Sequence, residues 1–550
     1  MKIGLTAYKY LPYAIIALIA VMYFAGNVLW YQRQSNHYIM DRDEALHFID
    51  SIRLFTEFDD KRNDLSILKH YSSTLIPALI TSGMTVFGRS DIVKNYALYI
   101  NSLYLVIALL FVFKIGEILA GRHAGIMAVL LLAAYPVTAG VSRLYGNGDL
   151  PALSVMTVNI FCLLKSSKFK DLKWSLIYAA SVILGLITRN NIVAFLIGPF
   201  LFSAAYALFV EKNMRSARNI ALVVVLAVPF YVYLHGTTDM LYKLLSESGG
   251  EWYKINNLRI YTIGLSEELL SPPLFAVFVW GLYGFIKKYG DNYAKGVILS
   301  WFAIPWLMLV LMMHRKIAIY GLPYLPAIAL ISAIGLSQLV IPYRKLLYAF
   351  LAIVSAIQYF DFSYGLGPRL YDVTITLGNQ TAISYFKLNT TTIFQADERG
   401  KYYEVLVASM RKHAVDAQAK MKNTLVTIDK NYWGIIDPAV LSVIAWQIGM
   451  PLTIPTDSIY FTNKPIEYDK YDAVVCFGEK PFATKGYFEN QYHWAEDIAL
   501  FHPLIKEEIM RMMNEADMMK IEASLKTLRN RLKNEIVIEL GKLDGILYME

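Results

Sequence analysis

Charged side chains are sparse in the apolar part of this sequence, and those that could do chemistry form an acidic pair and a few isolated cations. The acidic pair is Asp43-Glu44. The cations lie between long apolar runs and are Arg143, Arg189, Arg315 and Lys316. Arginine binds phosphate oxygens through forked hydrogen bonds and lysine binds them as a point charge, whereas a carboxylate can take a proton from an attacking group. Together they predict a site for an anionic, lipid-attached substrate with a base beside it.

Simpler structural roles stay open for several of these side chains. Arg143 and Asp149 share one short connection, where either could cap a helix or extend to the bilayer surface. His47 follows Asp43 and Glu44 by three or four positions, so one helix face could hold all three. Such a cluster could bind a divalent metal ion, although we favour a helix cap followed by a solvated face.

The elements that must position these residues are long apolar segments. Hydrophobic residues make up 56% of the 550-residue chain and charged residues 17%, with a mean hydropathy of +0.40. Because soluble domains carry about 25% charged residues, this composition excludes a disordered chain and an ordinary soluble enzyme. It indicates a polytopic membrane protein. Two cysteines are too few for a disulfide framework.

Eleven apolar runs are candidate transmembrane helices. We place them near residues 10–30, 95–114, 124–141, 150–164, 174–188, 192–210, 219–234, 273–287, 296–313, 317–340 and 346–360. Residues 1–360 carry a net charge of +12 and residues 361–550 one of −4, so we expect a membrane domain followed by a soluble one. In the soluble domain, strand-like segments at 423–429 and 471–477 and a hairpin over 535–548 alternate with helices, which predicts a small α/β domain.

Charge in the connections predicts which side of the membrane each one faces. Sixteen Lys and Arg residues fall at the N-terminus and in alternate connections, against four in the short connections of the other side. The positive-inside rule then places the N-terminus in the cytoplasm and residues 361–550 outside, in the cell or inner membrane or in the endoplasmic reticulum of a eukaryote. The loop 31–94, with the acidic pair, faces the outside and includes a juxtamembrane helix. The pI of 9.0 follows from this topology and does not indicate a nucleic-acid partner.

Short motifs follow one another in a fixed order along residues 10–340. They are Asp43-Glu44, Val86-Phe87-Gly88, Gly121-Arg122, Ser142-Arg143 with Asp149, Gly185-Leu186-Ile187-Thr188-Arg189, and Lys316-Ile317-Ala318-Ile319-Tyr320-Gly321-Leu322-Pro323. In this order the chain resembles the GT-C class of membrane glycosyltransferases, specifically the protein O-mannosyltransferase and aminoarabinose transferase superfamily. It departs from the family at Lys69-His70, which the usual prolines do not follow.

The resemblance implies an inverting transferase that moves a sugar from a polyprenyl-phosphate carrier to a hydroxyl of a protein, lipid or glycan on the outer face. It implies Asp43 as the base, Glu44 as its neighbour and Asp149 as a second acidic motif. The basic side chains would bind the donor phosphate, namely Arg143, Arg189, Arg315, Lys316 and Lys69. Further candidates are His47, His70 and Tyr320, and a divalent metal ion stays an open alternative.

Two other functions are compatible with an outer-face site. One is a glycan polymerase or ligase, and the other is a transporter or flippase of a lipid-linked substrate. Transporters concentrate ionisable residues and broken helices at mid-membrane, often within internal repeats. Here the predicted spans are nearly free of charge and show no repeat, so we expect the transferase.

Overall fold

A computed structural model shows the fold of the chain. It describes residues 2–34, 48–49, 83, 96–144, 149–189, 192–235, 255–312, 318–339, 344–364, 366 and 370, and the strands at 374–377, 380–384, 424–428, 473–477 and 536–538. Most of the described residues are helical, which confirms the predicted α-helical polytopic fold.

The helices of the described residues follow one another with short connections. They are α1 (Lys2–Gln34), α2 (Asn101–Ala120), α3 (Arg122–Ala134), α4 (Pro136–Val141), α5 (Asp149–Lys165), α6 (Leu172–Leu186), α7 (Val193–Ala205), α8 (Met214–His235), α9 (Ile255–Gly264), α10 (Pro272–Lys288), α11 (Asn292–Met312), α12 (Leu325–Leu339) and α13 (Arg344–Tyr364). Three π-helical turns, Tyr96–Ile100, Tyr206–Val210 and Leu265–Leu270, adjoin α2, α7 and α9, and a 3-10 segment, Ala318–Tyr324, leads into α12.

Seven helical segments of the described residues are long and apolar enough to cross a membrane. They are Tyr10–Gln32, Leu98–Ala120, Val193–Val210, Met214–Leu234, Asn292–Leu311, Ala318–Leu339 and Leu346–Tyr364. The chain is therefore an integral, multi-pass membrane protein. Every predicted span falls on helical segments, but the one at 124–141 is divided at Tyr135 into α3 and α4. Because α3, α5 and α6 have only 13, 17 and 15 residues, the count of eleven stays a prediction.

Two breaks interrupt the helices where proline follows a non-helical residue. Tyr135 has an extended backbone (ψ 124°) before Pro136 and separates α3 from α4, because proline disfavours the helical region in the residue before it. Ser271 is left-handed (φ 70°) before Pro272-Pro273. Here Leu258–Leu270 and Pro272–Lys288 meet at 118°, as in a broken span or a re-entrant loop. Gln358 Nε2 of α13 donates to Ser271 Oγ at 2.6 Å and ties this break to α13.

Glycines bring α10 and α12 into backbone contact. A Cβ at Gly281 would lie 2.4 Å from Ser332 Cα, and one at Gly335 would lie 1.7 Å from the carbonyl oxygen of Gly281. Small residues allow such close approach, and helices in a bilayer associate largely through this packing. The neighbouring atoms belong to the backbone, so they cannot move aside without separating the two helices.

We expect Gly335→Ala to destabilise the protein by about 1–3 kcal/mol, since overpacking a close helix contact has this effect. A lower thermal unfolding midpoint in detergent is the measurement. Gly290→Ala is the matched control, because a Cβ at Gly290 meets no atom within 4 Å. Equal midpoints for the two variants would contradict the close contact of α10 with α12.

An ion-pair cluster joins the connection before α6 to the connection before α8. The Glu211 carboxylate pairs with the ammonium groups of Lys168 and Lys170. Ser167, Lys168 and Phe169 have consecutive left-handed φ values of 49°, 64° and 63°. Phe169 is fully buried, and its carbonyl oxygen accepts a hydrogen bond of 2.7 Å from Asn219 Nδ2.

The cluster makes stability depend on pH. The hydrogen bond from Lys168, with that from Lys170, holds the pKa of Glu211 below its ordinary value of 4.5. A carboxyl whose pKa is lower in the folded state stabilises the fold above its unfolded pKa and loses that effect as pH falls through the folded value.

We therefore expect Glu211→Gln to unfold at a lower temperature than the wild type at neutral pH, with the difference in unfolding temperature closing as the solution is acidified. Glu117→Gln is the control. Glu117 pairs with Lys114, one turn earlier in the same helix, and its side chain is more exposed than that of Glu211, so this pair should contribute little to stability. A gap that does not change with pH would contradict the expected linkage.

The chain divides into two compact units. The first comprises residues 1–33 and 51–395, and the second comprises 34–50 and 396–550. In the second unit, Thr424–Ile428 pairs in parallel with Ala473–Phe477, and Ala473–Phe477 pairs in parallel with Ile536–Ile538. The first two are the strands expected from sequence. The third, Ile536–Ile538, was expected as one arm of a hairpin over 535–548; it pairs with Ala473–Phe477, and the other arm of that hairpin lies outside the described residues. The helices predicted between these strands lie outside the described residues, so the α/β domain and the boundary at residue 360 stay predictions.

Candidate functional site

The backbone around α4 places Arg143 at the end of a short buried helix. Pro136 begins α4, and its six residues are all buried. Ser142 Oγ donates to the carbonyl oxygen of Ala139 at 2.7 Å, and the Arg143 amide donates to that of Gly140 at 3.1 Å. The helix therefore ends in a turn that is closed by its own hydrogen bonds.

Distant helices hold the backbone of this turn. Asn101 Nδ2 at the start of α2 donates to the carbonyl oxygens of Ser142 and Leu144, at 3.1 and 2.6 Å. Tyr31 Oη of α1 donates to the carbonyl oxygen of Arg143 at 2.6 Å. The position of Arg143 is thus set by side chains of α1 and α2, and not by the local turn alone.

The Arg143 guanidinium is held by neutral groups. The residue is 1% exposed. Its Nε donates to Asn27 Oδ1 at 3.0 Å and its Nη2 to Ser363 Oγ at 2.5 Å. The guanidinium carbon lies 5.3 Å from the centre of the Trp30 ring and 5.7 Å from that of Tyr359. Both rings attract the cation without neutralising it.

Nη1 of Arg143 is buried and donates no hydrogen bond to any described residue, and no described carboxylate pairs with the guanidinium. A buried charge without a counter-charge is strongly destabilising. A small cavity of about 10 Å³, lined by Tyr23, Tyr135, Tyr359 and Ser363 among others, shares Tyr359 and Ser363 with the surroundings of Arg143. The arrangement can stabilise an anion that supplies the missing acceptor.

Asp149, Arg189 and Tyr320 come together in a second group. Asp149, 2% exposed, is the first residue of α5, and one of its carboxylate oxygens pairs with Arg189 Nη1. The guanidinium carbon of Arg189 lies 5.7 Å from the centre of the Tyr320 ring. The charge of Arg189 is thus matched within the protein, which makes Arg143 the stronger of the two candidates for an anion.

The other predicted site residues lie outside the described residues. They are Asp43, Glu44, His47, Lys69, His70, Arg315 and Lys316. Among the residues that are described, no group of three or more His, Cys, Asp and Glu side chains could hold a metal ion. Because the acidic pair and His47 are not among them, metal binding stays a prediction.

Sequence analysis did not single out several residues of this region. Asn27, Trp30, Tyr359 and Ser363 surround Arg143, and nothing in their local sequence distinguishes them from other polar or aromatic residues of a span. Glu267 is 2% exposed in the turn Leu265–Leu270, which packs against α4 and the 3-10 segment. Two adjacent glutamates in an apolar stretch before Pro272-Pro273 were a usable signal, since ionisable residues within a membrane protein are costly and often functional.

A protein-family model matches one segment of the chain, which is less than a third of its length. Residues 72–234 match the model of the family described as dolichyl-phosphate-mannose-protein mannosyltransferase. The match includes Arg143, Asp149 and Arg189, and it confirms the resemblance inferred from the order of motifs. No curated protein sequence matches the chain.

Three solved structures are similar to part of this chain, each with a TM-score below 0.5. ArnT from Cupriavidus metallidurans bound to undecaprenyl phosphate has 13% identity and a TM-score of 0.47, with 81% of this chain and 76% of that chain covered. The Archaeoglobus fulgidus oligosaccharyltransferase in the apo form has 13% identity and a TM-score of 0.47, with 83% and 66% covered. The Archaeoglobus fulgidus enzyme AglB, in complex with an inhibitory peptide and a dolichol-phosphate, has 13% identity and a TM-score of 0.43, with 79% and 64% covered.

Proposed function

We propose that this protein is an integral-membrane glycosyltransferase that takes a sugar from a polyprenyl-phosphate donor and transfers it to a hydroxyl acceptor. The observation that carries the proposal is the buried Arg143, whose Nη1 has no partner among the described residues and whose hydrogen-bond partners there, Asn27 and Ser363, are neutral. A phosphate at this position would supply the acceptor and the negative charge. The mannosyltransferase model that matches residues 72–234 supports the same class of donor.

The proposed reaction is an inverting displacement. The acceptor oxygen attacks the anomeric carbon, Asp43 takes the hydroxyl proton, and the bond from that carbon to the phosphate oxygen breaks. The polyprenyl phosphate leaves with the bonding electrons, and Arg143 stabilises its developing charge. Arg315, Lys316 and Lys69 are proposed to neutralise further negative charge of the phosphate, whereas Arg189 holds Asp149 at the start of α5 through its ion pair.

The sidedness of the reaction belongs to the same proposal. Arg143, Asp149 and Arg189 occupy connections that the positive-inside rule assigns to the outer face. The sugar transferred would then be a hexose or a pentose presented on a lipid carrier at that face. A metal ion near Asp43, Glu44 and His47 is compatible with the proposal but is not required by the proton transfer.

A transporter or flippase of a lipid-linked substrate is the second candidate. The break at Ser271 and the buried Glu267 favour it, because discontinuous helices and intramembrane carboxylates are typical of transporters. The first candidate is stronger because the sequence outside the break matches a transferase model.

The two candidates are separated by an assay of the purified protein in detergent. We expect labelled sugar to move from a polyprenyl-phosphate sugar to a soluble hydroxyl acceptor, in a screen of hexosyl and pentosyl donors against glycan, lipid and peptide acceptors. A flippase produces no new glycosidic bond in detergent but moves the labelled lipid between the leaflets of a liposome. Translocation without transfer for every donor would reject the transferase.

A further inference from the structure

Two connections of the first unit form one cationic surface. Residues 165–173 and 211–218 together carry seven cations, Lys165, Lys168, Lys170, Lys173, Lys212, Arg215 and Arg218, and two carboxylates, Asp171 and Glu211. The pairs of Glu211 with Lys168 and Lys170 join the connections, and α6 packs against α8 directly beneath them. We call these two segments the basic surface.

The described carboxylates compensate only the inner part of the basic surface. Lys168 lies over the rings of Tyr206 and Tyr293, 5.0 and 5.2 Å from their centres, and has Glu211 and Asp291 nearby. The outer cations are exposed and form no ion pair with any described carboxylate. They are Lys165, Lys173, Lys212, Arg215 and Arg218.

The basic surface must lie at the level of the lipid head groups. Only residues 211–213 separate the membrane-length segments Val193–Val210 and Met214–Leu234. On either side of that short turn, Phe209, Val210 and Met214 are 76%, 64% and 83% exposed. Exposed apolar side chains next to cations are suited to the boundary between acyl chains and head groups.

Two helices also begin at the basic surface. Asp171 caps α6 through the amide of Trp174, and Asn213 caps α8 through the amides of Arg215 and Ser216. The N-terminal end of a helix carries a partial positive charge. The N-terminus of α8, capped by the neutral Asn213, therefore adds to the positive potential of the five outer cations, whereas the Asp171 carboxylate offsets that of α6.

We propose that the basic surface binds the head groups of anionic phospholipids in the leaflet that it faces. The positive-inside rule explains why such connections contain lysine and arginine, but it does not require that two of them be joined by a shared carboxylate. Because the Glu211 ion pairs hold the two segments together, the five outer cations lie on one surface at the depth of the head groups. Each lysine or arginine at that depth strengthens binding to anionic lipids. This site does not depend on the proposed transferase activity.

The test uses the full-length protein in detergent with added phosphatidylglycerol or phosphatidylcholine of the same chain length. Native mass spectrometry counts the retained lipids, and the thermal midpoint is a second readout. We expect the wild type to prefer phosphatidylglycerol by about tenfold, as a few head-group contacts would give. Arg215→Gln with Arg218→Gln should remove most of this preference, and Arg215→Lys with Arg218→Lys should keep it. Lys287→Gln with Lys288→Gln, which changes two exposed lysines in the last turn of α10, should also keep it.

Several results would overturn the proposal. One is an unchanged preference in the Arg215→Gln, Arg218→Gln protein, and another is an equal loss in the Lys287→Gln, Lys288→Gln protein, which would indicate total charge and not this surface. Glycerol phosphate that stabilises the wild type as well as phosphatidylglycerol would indicate a site for soluble phosphates. If the glutamine variant does not fold, the wild-type preference measured in rising sodium chloride decides, because exposed charges are screened by salt and a salt-independent preference contradicts the proposal.

Discussion

Asp43→Asn is expected to reduce sugar transfer by about 100- to 10,000-fold, the usual contribution of a general base. Asparagine has nearly the shape of aspartate but cannot accept the proton of the attacking hydroxyl. The variant should therefore keep its thermal midpoint and its affinity for polyprenyl phosphate, because neither depends on the proton transfer. The measurement is the initial rate with a labelled polyprenyl-phosphate sugar, compared with equilibrium binding of unlabelled polyprenyl phosphate.

Asp41→Asn is the matched control for Asp43→Asn. It removes the same charge two positions earlier in the same acidic loop, and we expect a rate within a few-fold of the wild type. A normal rate for Asp43→Asn would remove this residue from the mechanism. Equal losses in both variants would show that the acidic loop acts through its total charge and not through one base.

Arg143→Gln is expected to weaken binding of polyprenyl phosphate by about tenfold to a hundredfold. A hydrogen bond to a charged group contributes about 1.5–3 kcal/mol, and glutamine keeps a donor but removes the charge. Because the wild-type guanidinium is buried without a described counter-charge, its removal should not lower the thermal midpoint of the empty protein by much. The two results together, weaker binding and retained stability, are what distinguish a ligand-binding arginine from a structural one.

Three variants define the role of Arg143. Arg143→Lys keeps the charge but loses the forked geometry, so its affinity should be intermediate. Ser363→Ala removes the partner of Nη2 and leaves the charge, so its effect should be smaller. Arg259→Gln removes an exposed arginine of α9 and should leave affinity unchanged. Wild-type affinity in Arg143→Gln would contradict the proposed phosphate contact.

Local properties of the chain were sufficient to predict the membrane region and the residue types of the site. Hydrophobic segments were recognisable because a helix in the bilayer satisfies its own backbone hydrogen bonds and exposes apolar side chains to lipid. Every predicted span falls on helical segments, although the span at 124–141 is two helices. The break at Ser271 was missed because the chain before it, with its two glutamates, lacks the uniform apolar character of a span. The resemblance to mannosyltransferases was also accessible, since it depends on the order of motifs and not on their contacts.

Tertiary structure decided what each cation does. Arg143 and Arg189 look equivalent in sequence, as single arginines at the ends of apolar runs. In the fold, Arg189 pairs with Asp149, whereas Arg143 is held by Asn27 and Ser363, which are 116 and 220 residues away. The rotation and packing of α1, α4 and α13 bring those partners together, and no local pattern encodes them. Whether a segment spans the membrane depends on its own residues and on the lipid or water around it, so it can be predicted locally. The partners of a buried charge depend on which distant helices pack around it.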